Sequence, residues 1–171
     1  MNLRLRTSSS DVAPLIEDGL GASISFGPLE KTNELSVTPL LASKRILVGL
    51  PSTIQALEET GEITAALYVD SQKRSDDWSV WCNANQRTEP SNDRRIHSST
   101  SAQALEAASA GMGVLVTEWI FVKELLSLNH FATFGETCQE SNLGFSLYCH
   151  TAVTDNEAIT ALRTWLLELS N

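Results

Sequence analysis

The residues best able to do chemistry in this chain are its three histidines and three cysteines, and their spacing argues against it. His97, His130 and His150 are dispersed and lack the close spacing of metal ligands. Cys82, Cys138 and Cys149 are odd in number and far apart, which reads as reduced thiols rather than a disulfide framework. Cys149 ends an apolar run and reads as a buried strand residue; a nucleophile would need a nearby base that the sequence does not indicate. Ser99 follows His97 by two positions, a pairing that hints at hydrolysis, but no Gly-x-Ser-x-Gly elbow surrounds the serine. No catalytic residue, metal or cofactor is expected, and the chain is not read as an enzyme.

Binding chemistry is better represented. Ser98-Ser99-Thr100 is a polar loop feeding a helix. A helix N-terminus offers free backbone N–H groups and the positive end of the helix dipole, so it suits a carboxylate. These hydroxyls either cap the helix or contact a ligand, and both roles can coexist on different side chains. Ser146 and Tyr148 share one face of a strand, because side chains alternate along it; that face either meets a ligand or is filler. Trp78 and Trp81 lie three apart on one helix face, where core packing is favoured over stacking on a ligand.

The elements that would position these residues alternate between strand and helix. Leu3–Thr7 and Ala22–Phe26 alternate apolar and polar as strands do, with a short helix at Val12–Asp18 between them. Leu35–Leu41 and Lys44–Leu50 read as extended, and Pro51 opens a helix to about Thr60. Ala65–Val69 reads as a buried strand, Asp76–Ala84 as a short helix and Gln86–Arg95 as irregular. A short strand at Ile96–His97 leads to a helix over Ala102–Ala110 that Gly111 ends. Val114–Val116 is a strand, Glu118–Leu126 a helix, and Phe131–Phe134 and Phe145–Cys149 are further strands. Asp155 is placed as the cap of a last helix with Ile159, Leu162, Trp165, Leu166 and Leu169 along one stripe. The pattern predicts an α/β fold with mostly parallel sheets.

Composition narrows the partners. The chain has 171 residues, suiting one domain or two small lobes, and 42% hydrophobic residues, enough for a core. Its 12 Lys and Arg against 21 Asp and Glu give a net charge of −9, which a phosphate backbone would repel. The cations do not cluster: Arg4 and Arg6 sit on a strand and Arg94-Arg95 is a lone pair. Met1-Asn2-Leu3-Arg4 leads into no apolar run, and no segment approaches the ~20 apolar residues that span a bilayer. A cytoplasmic setting is expected, with no membrane and no direct nucleic-acid contact.

An ordered series of motifs carries a family resemblance across nearly the whole chain. The stretch from Ser98 through Ala108-Ser109-Ala110-Gly111-Met112-Gly113-Val114 resembles the second-lobe segment of LysR-type effector domains, a polar loop and helix ending Ala-x-Gly-x-Gly. Gly21-Ala22-Ser23-Ile24-Ser25-Phe26-Gly27 is similar to that family's Asp-Leu-Ala-Ile-Arg-Phe-Gly strand. Leu40–Pro51 resembles its first crossover, Phe145–Cys149 the returning one, and Trp165-Leu166-Leu167 its closing helix. Trp78-Ser79-Val80-Trp81 resembles the Trp-x-x-Trp of the subgroup with glycine-cleavage activators and β-lactamase regulators.

The resemblance implies a two-lobed, type 2 periplasmic-binding-protein-like fold that senses a ligand within a transcription regulator. Lobe I would take residues 1–43 and 150–171, and lobe II residues 44–149 with the crossover strands. A small, anionic effector would sit between lobes, with Ser98, Ser99, Thr100, Ser146, Tyr148, Phe26 and Gly27 expected to line its site. A homodimer is implied as well. The sequence departs from the family in lacking the winged helix-turn-helix, linker helix, and first strand and helix of lobe I. Ser23 and Ser25 stand where the family often has an acidic residue and Arg. Alternative readings are a free-standing solute-binding protein, which would need an export signal, and an interaction module that poisons full-length regulators.

Overall fold

The computed structural model describes residues 21–28, 34–63, 68–71 and 74–170. The expected strand at Leu3–Thr7, the helix at Val12–Asp18 and most of the strand at 65–69 lie outside the described residues. The strands are β1 (Ser23–Pro28), β2 (Leu35–Gly49), β3 (Tyr68–Ser71), β4 (Arg95–Ser98), β5 (Val114–Glu118) and β6 (Ala132–His150). The helices are α1 (Pro51–Thr60), α2 (Asp77–Ala84), α3 (Ser101–Ser109), α4 (Trp119–Ser127) and α5 (Glu157–Leu169).

Two compact units emerge. One takes the chain up to Ser43 and resumes at Glu140; the other is Lys44–Gln139. The second crossing between the units thus falls inside β6. Two expected strand pairs are each one continuous strand, β2 and β6. The polar run Gln139-Glu140-Ser141-Asn142 separates the two expected strands, yet it is extended and continues β6.

In the unit Lys44–Gln139 the strand order is β2-β5-β3-β4. β3 runs parallel to both β4 and β5, while β2 is antiparallel to β5. The sheet of this unit is therefore mostly parallel, as expected, with β2 its one antiparallel member. The reason is connectivity: a crossover strand entering the unit and the strands of its βα repeats need not share a direction.

Every residue of β5 is buried, as expected of a strand covered on both faces. Alternate side chains go to opposite sides. Leu47, Val114 and Val116 join Ile54, Leu57, Trp78 and Trp81 in one apolar cluster; Ile46, Val48, Val69 and Leu115 join Ala104, Ala108 and Val122 in another. Helices α1 and α2 thus cover one face and α3 and α4 the other. Trp78 and Trp81 are core residues, with the Trp78 Nε1–H donating to Val69 O at 2.9 Å and its ring set edge-on to Tyr68. Truncating such a tryptophan to alanine costs about 3–5 kcal/mol.

Local chemistry sets the helix ends. Pro51 occupies the first turn of α1, where a missing N–H costs nothing, and Gly61 ends it at φ 68°, donating its N–H to Leu57 O. Thr100 caps α3, and α5 is capped by Asn156, whose side chain accepts from the Ala158 N–H, not by Asp155.

In the other unit β6 lies between β1 and β2, and β1 pairs antiparallel with it from Ser23↔Tyr148 to Gly27↔Gly144. Among the described residues, Val37 and Tyr148 form an apolar cluster with Leu35 packed against them. The expected stripe on α5 is only partly covered: Ile159 is buried, but Trp165 and Leu169 are 53% and 61% exposed.

Candidate functional site

Three parallel strands end together in the unit Lys44–Gln139. The registers Ser71↔Ser98 and Val69↔Leu115 bring the carboxyl ends of β3, β4 and β5 to one edge of the sheet. Each strand is followed by a helix, so the amino ends of α2, α3 and α4 lie after them in the chain. Ligands of open α/β sheets bind outside the carboxyl ends of the strands, where helix N–H groups are unsatisfied.

The three hydroxyls of the β4–α3 loop divide their work. Ser98 Oγ–H donates to Asp70 O at 2.8 Å, tying the end of β4 to β3, and lies 3.2 Å from Thr100 O. Thr100 Oγ1 accepts the Gln103 N–H at 3.2 Å, a helix cap. Ser99 is exposed. Structural duty therefore falls on Ser98 and Thr100, and the outward hydroxyl of the loop is that of Ser99.

A buried ionic network that sequence reasoning missed joins β2, the start of α2 and the end of β5. Arg45 Nε donates to Asp77 Oδ1 at 2.7 Å and Nη2 to Asp76 Oδ2 at 3.3 Å. Arg74 donates to Asp77 Oδ2 at 2.6 Å, to Asp77 Oδ1 at 2.8 Å and to Glu118 Oε1 at 2.6 Å. Glu118 Oε2 accepts the Lys44 backbone N–H at 2.7 Å. Arg45, Asp77 and Glu118 are all under 4% exposed.

Burial pushes the Asp77 carboxyl up, with both arginines acting against that shift. Burial also opposes the charge on Arg74, but bonding and attraction to Asp77 and Glu118 outweigh it and hold its pKa above the ordinary value. One signal was available: Arg45 precedes the apolar run Ile46-Leu47-Val48, and Glu118 follows Val114-Leu115-Val116-Thr117. A charge at the end of a buried strand must find a partner.

A second group lies along β3 and β4. Asp70 is 5% exposed, and its Oδ2 stands 3.4 Å from Arg95 Nη1 and 3.6 Å from His97 Nδ1. Arg45, Arg74 and Arg95 thus all face carboxylates already. An anion at this edge would meet backbone N–H groups and hydroxyls rather than an uncommitted arginine among these three.

The other sequence-predicted residues gather in the unit that runs up to Ser43 and resumes at Glu140. Phe26 and Gly27 lie on β1, Ser146 and Tyr148 on β6, with registers Ser25↔Ser146 and Phe26↔Phe145. The Phe26 and Phe145 rings meet edge-on at 5.1 Å. A Cβ on Gly27 would come within 3.6 Å of Tyr148 Oη. Ser146 is fully buried and Tyr148 nearly so. Burial pushes the Tyr148 phenol up, and the neighbouring Ser146 acts against that shift.

This architecture is that of the effector-binding domains of LysR-type regulators, which have a periplasmic-binding-protein-like fold. The chain is similar to the effector domain of the transcriptional regulator AmpR of Pseudomonas aeruginosa, with a TM-score of 0.76 at 23% identity over 94% of this chain and 76% of that one. It is similar to the AmpR effector-binding domain from Citrobacter freundii, with a TM-score of 0.76 at 21% identity over 94% of this chain and 78% of that one. The regulatory domain of CrgA, a LysR-type transcriptional regulator from Neisseria meningitidis, gives a TM-score of 0.68 at 13% identity over 95% and 81%. No protein-family model matches the chain, and no curated protein matches its sequence.

Proposed function

We propose that this chain is the effector-sensing domain of a LysR-type transcriptional regulator, acting by binding rather than catalysis. The observation that carries this reading is the fold likeness over 94% of the chain to effector domains of such regulators. The effector is a small anion held at the carboxyl edge of β3, β4 and β5, with Ser99 and the N–H groups opening α3 as its donors. Ser98 and Thr100 shape that loop, and Phe26, Gly27, Ser146 and Tyr148 form a separate candidate cluster within their own unit. The Trp78-x-x-Trp81 pair supports placing the domain in the subgroup with glycine-cleavage activators and β-lactamase regulators. The protein works as a cytoplasmic homodimer and reaches DNA only through a separate winged-helix module. A ligand shifts such a domain only by binding its two states with different affinity.

The test is a thermal-shift screen of small carboxylates followed by calorimetric titration of the hit against Ser99→Ala. A loss of about 1.5–3 kcal/mol in binding is expected, the range for hydrogen bonds to a charged group. Unchanged affinity in Ser99→Ala, with loss on substitution elsewhere, would move the site away from this loop.

A further inference from the structure

Residues 44 and 45 are where β2 enters the unit Lys44–Gln139. Both are held by side chains from outside the strand. The Lys44 N–H is bound by Glu118 Oε2 at 2.7 Å, and Lys44 Nζ stands 4.9 Å from the centre of the Trp119 ring. Arg45, 1% exposed, is bound by Asp77 and Asp76. Glu118 and Trp119 join β5 to α4, and Asp76 and Asp77 open α2. The pinning groups therefore come from two of the three strand-to-helix junctions at the candidate edge.

The preceding residues of β2 are constrained differently. In the other unit, the β6 backbone at Gly144 approaches so closely that an added Cβ would lie 2.1 Å from Leu41 O and 3.0 Å from Ala42 Cα. Only glycine fits there, and in a strand that marks close approach of another backbone. A side chain would have to push the two crossover strands apart.

We infer that Glu118 and Asp77 act as a latch on the first crossover, confining its bending to Leu41–Ser43, with Gly144 keeping β6 in register against that segment. The latch couples the β5–α4 and α2 junctions to the crossover: a ligand that draws on either junction would change how firmly Lys44 and Arg45 are held. That regulatory use rests on the function proposed above; the latch itself needs no effector.

The experiment is amide hydrogen exchange, residue by residue, on the whole ligand-free chain. In Glu118→Ala the Lys44 amide loses its acceptor and should exchange about tenfold faster or more, while Val48 and Leu115 keep their protection. Glu118→Gln, which keeps an acceptor oxygen, should fall between. Trp119→Leu leaves the buried charges intact and should loosen Ala42–Lys44 to a smaller degree, so the idea stays testable if Glu118→Ala does not fold. Gly144→Ala should cost protection at Leu41 and Ala42. Unchanged exchange at Lys44 in the Glu118 variants, or a uniform rise through β2 and β5 together, would overturn the latch. A failed effector screen would leave these readings untouched.

Discussion

Arg45 and Arg74 meet at one carboxylate oxygen: Asp77 Oδ1 accepts from Arg45 Nε at 2.7 Å and from Arg74 Nη2 at 2.8 Å. Two guanidiniums from distant parts of the chain thus depend on one small side chain at the start of α2. Removing one partner of a buried ion pair strands the other, at about 3–5 kcal/mol. Asp77→Ala should therefore lose stability on that scale in urea unfolding. Asp76, whose side chain is 62% exposed, pairs with the same Arg45 at 3.3 Å. Asp76→Ala should cost under about 1 kcal/mol, as exposed pairs do. Equal losses in the two variants would show that burial is not what makes Asp77 matter.

Thr100 and Ser99 should separate folding from binding within one loop. Thr100 caps α3, so Thr100→Ala should cost about 1 kcal/mol of stability. Ser99 is exposed, so Ser99→Ala should leave the melting temperature unchanged and act on effector affinity alone. Thermal melts of the two variants in parallel make the comparison. A destabilised Ser99→Ala with normal binding would reverse the assignment.

Periodicity made the layered part of the fold legible. Val114-Leu115-Val116 announces a strand covered on both faces, and the alternation of Ile46, Leu47 and Val48 deals side chains to two apolar clusters. The joining of two predicted strands into β6 was not legible, because Glu140 and Asn142 look like loop while only the neighbouring strand makes them extended. Direction was hidden for the same reason: no residue in β2 says that it runs against β5. At the site, Ser98 to Thr100 were visible because a cap leaves a local signature. Arg45, Arg74, Asp77 and Glu118 were not, since their partners lie 32 or 44 positions apart as well as in adjacent turns. The exposure of Trp165 also escaped a helical pattern that gives every apolar position on a stripe the same standing.

Cys82 should be inert in the folded chain. Burial and the negative charge of Glu89 push its thiol up to about 11, against a weaker pull from Arg87. At pH 8 only about 0.1% would be thiolate, and the thiolate is the reactive form. Cys138 is half-buried and should be alkylated first. Peptide mapping after brief iodoacetamide treatment reads this directly. Comparable labelling of both cysteines without denaturant would contradict the packing of α2.

The chain alone should show no sequence-specific affinity for DNA. Its net charge of −9 opposes the phosphate attraction that underlies even non-specific binding. In a mobility-shift assay at physiological salt, no complex should form at micromolar protein. A shift at sub-micromolar concentration, weakened by added salt, would reveal a basic surface that this reading lacks.

Tyr148 should make the chain lose stability in alkali. Its phenol is pushed up from the ordinary value of about 10 by burial, so the folded state holds the proton more tightly than the unfolded chain. A group with a raised folded pKa gives its full stabilisation below the unfolded value. That contribution is lost as pH climbs from there through the folded value, because ionisation then favours the unfolded chain. Cys82, at about 11, titrates over the same range and must be told apart. Urea unfolding from pH 8 to 11 on the parent, Tyr148→Phe and Cys82→Ala does this. Each variant should show a shallower alkaline decline than the parent, and the double variant the shallowest. If Tyr148→Phe falls as steeply as the parent, the phenol is not buried as β1 and β6 place it.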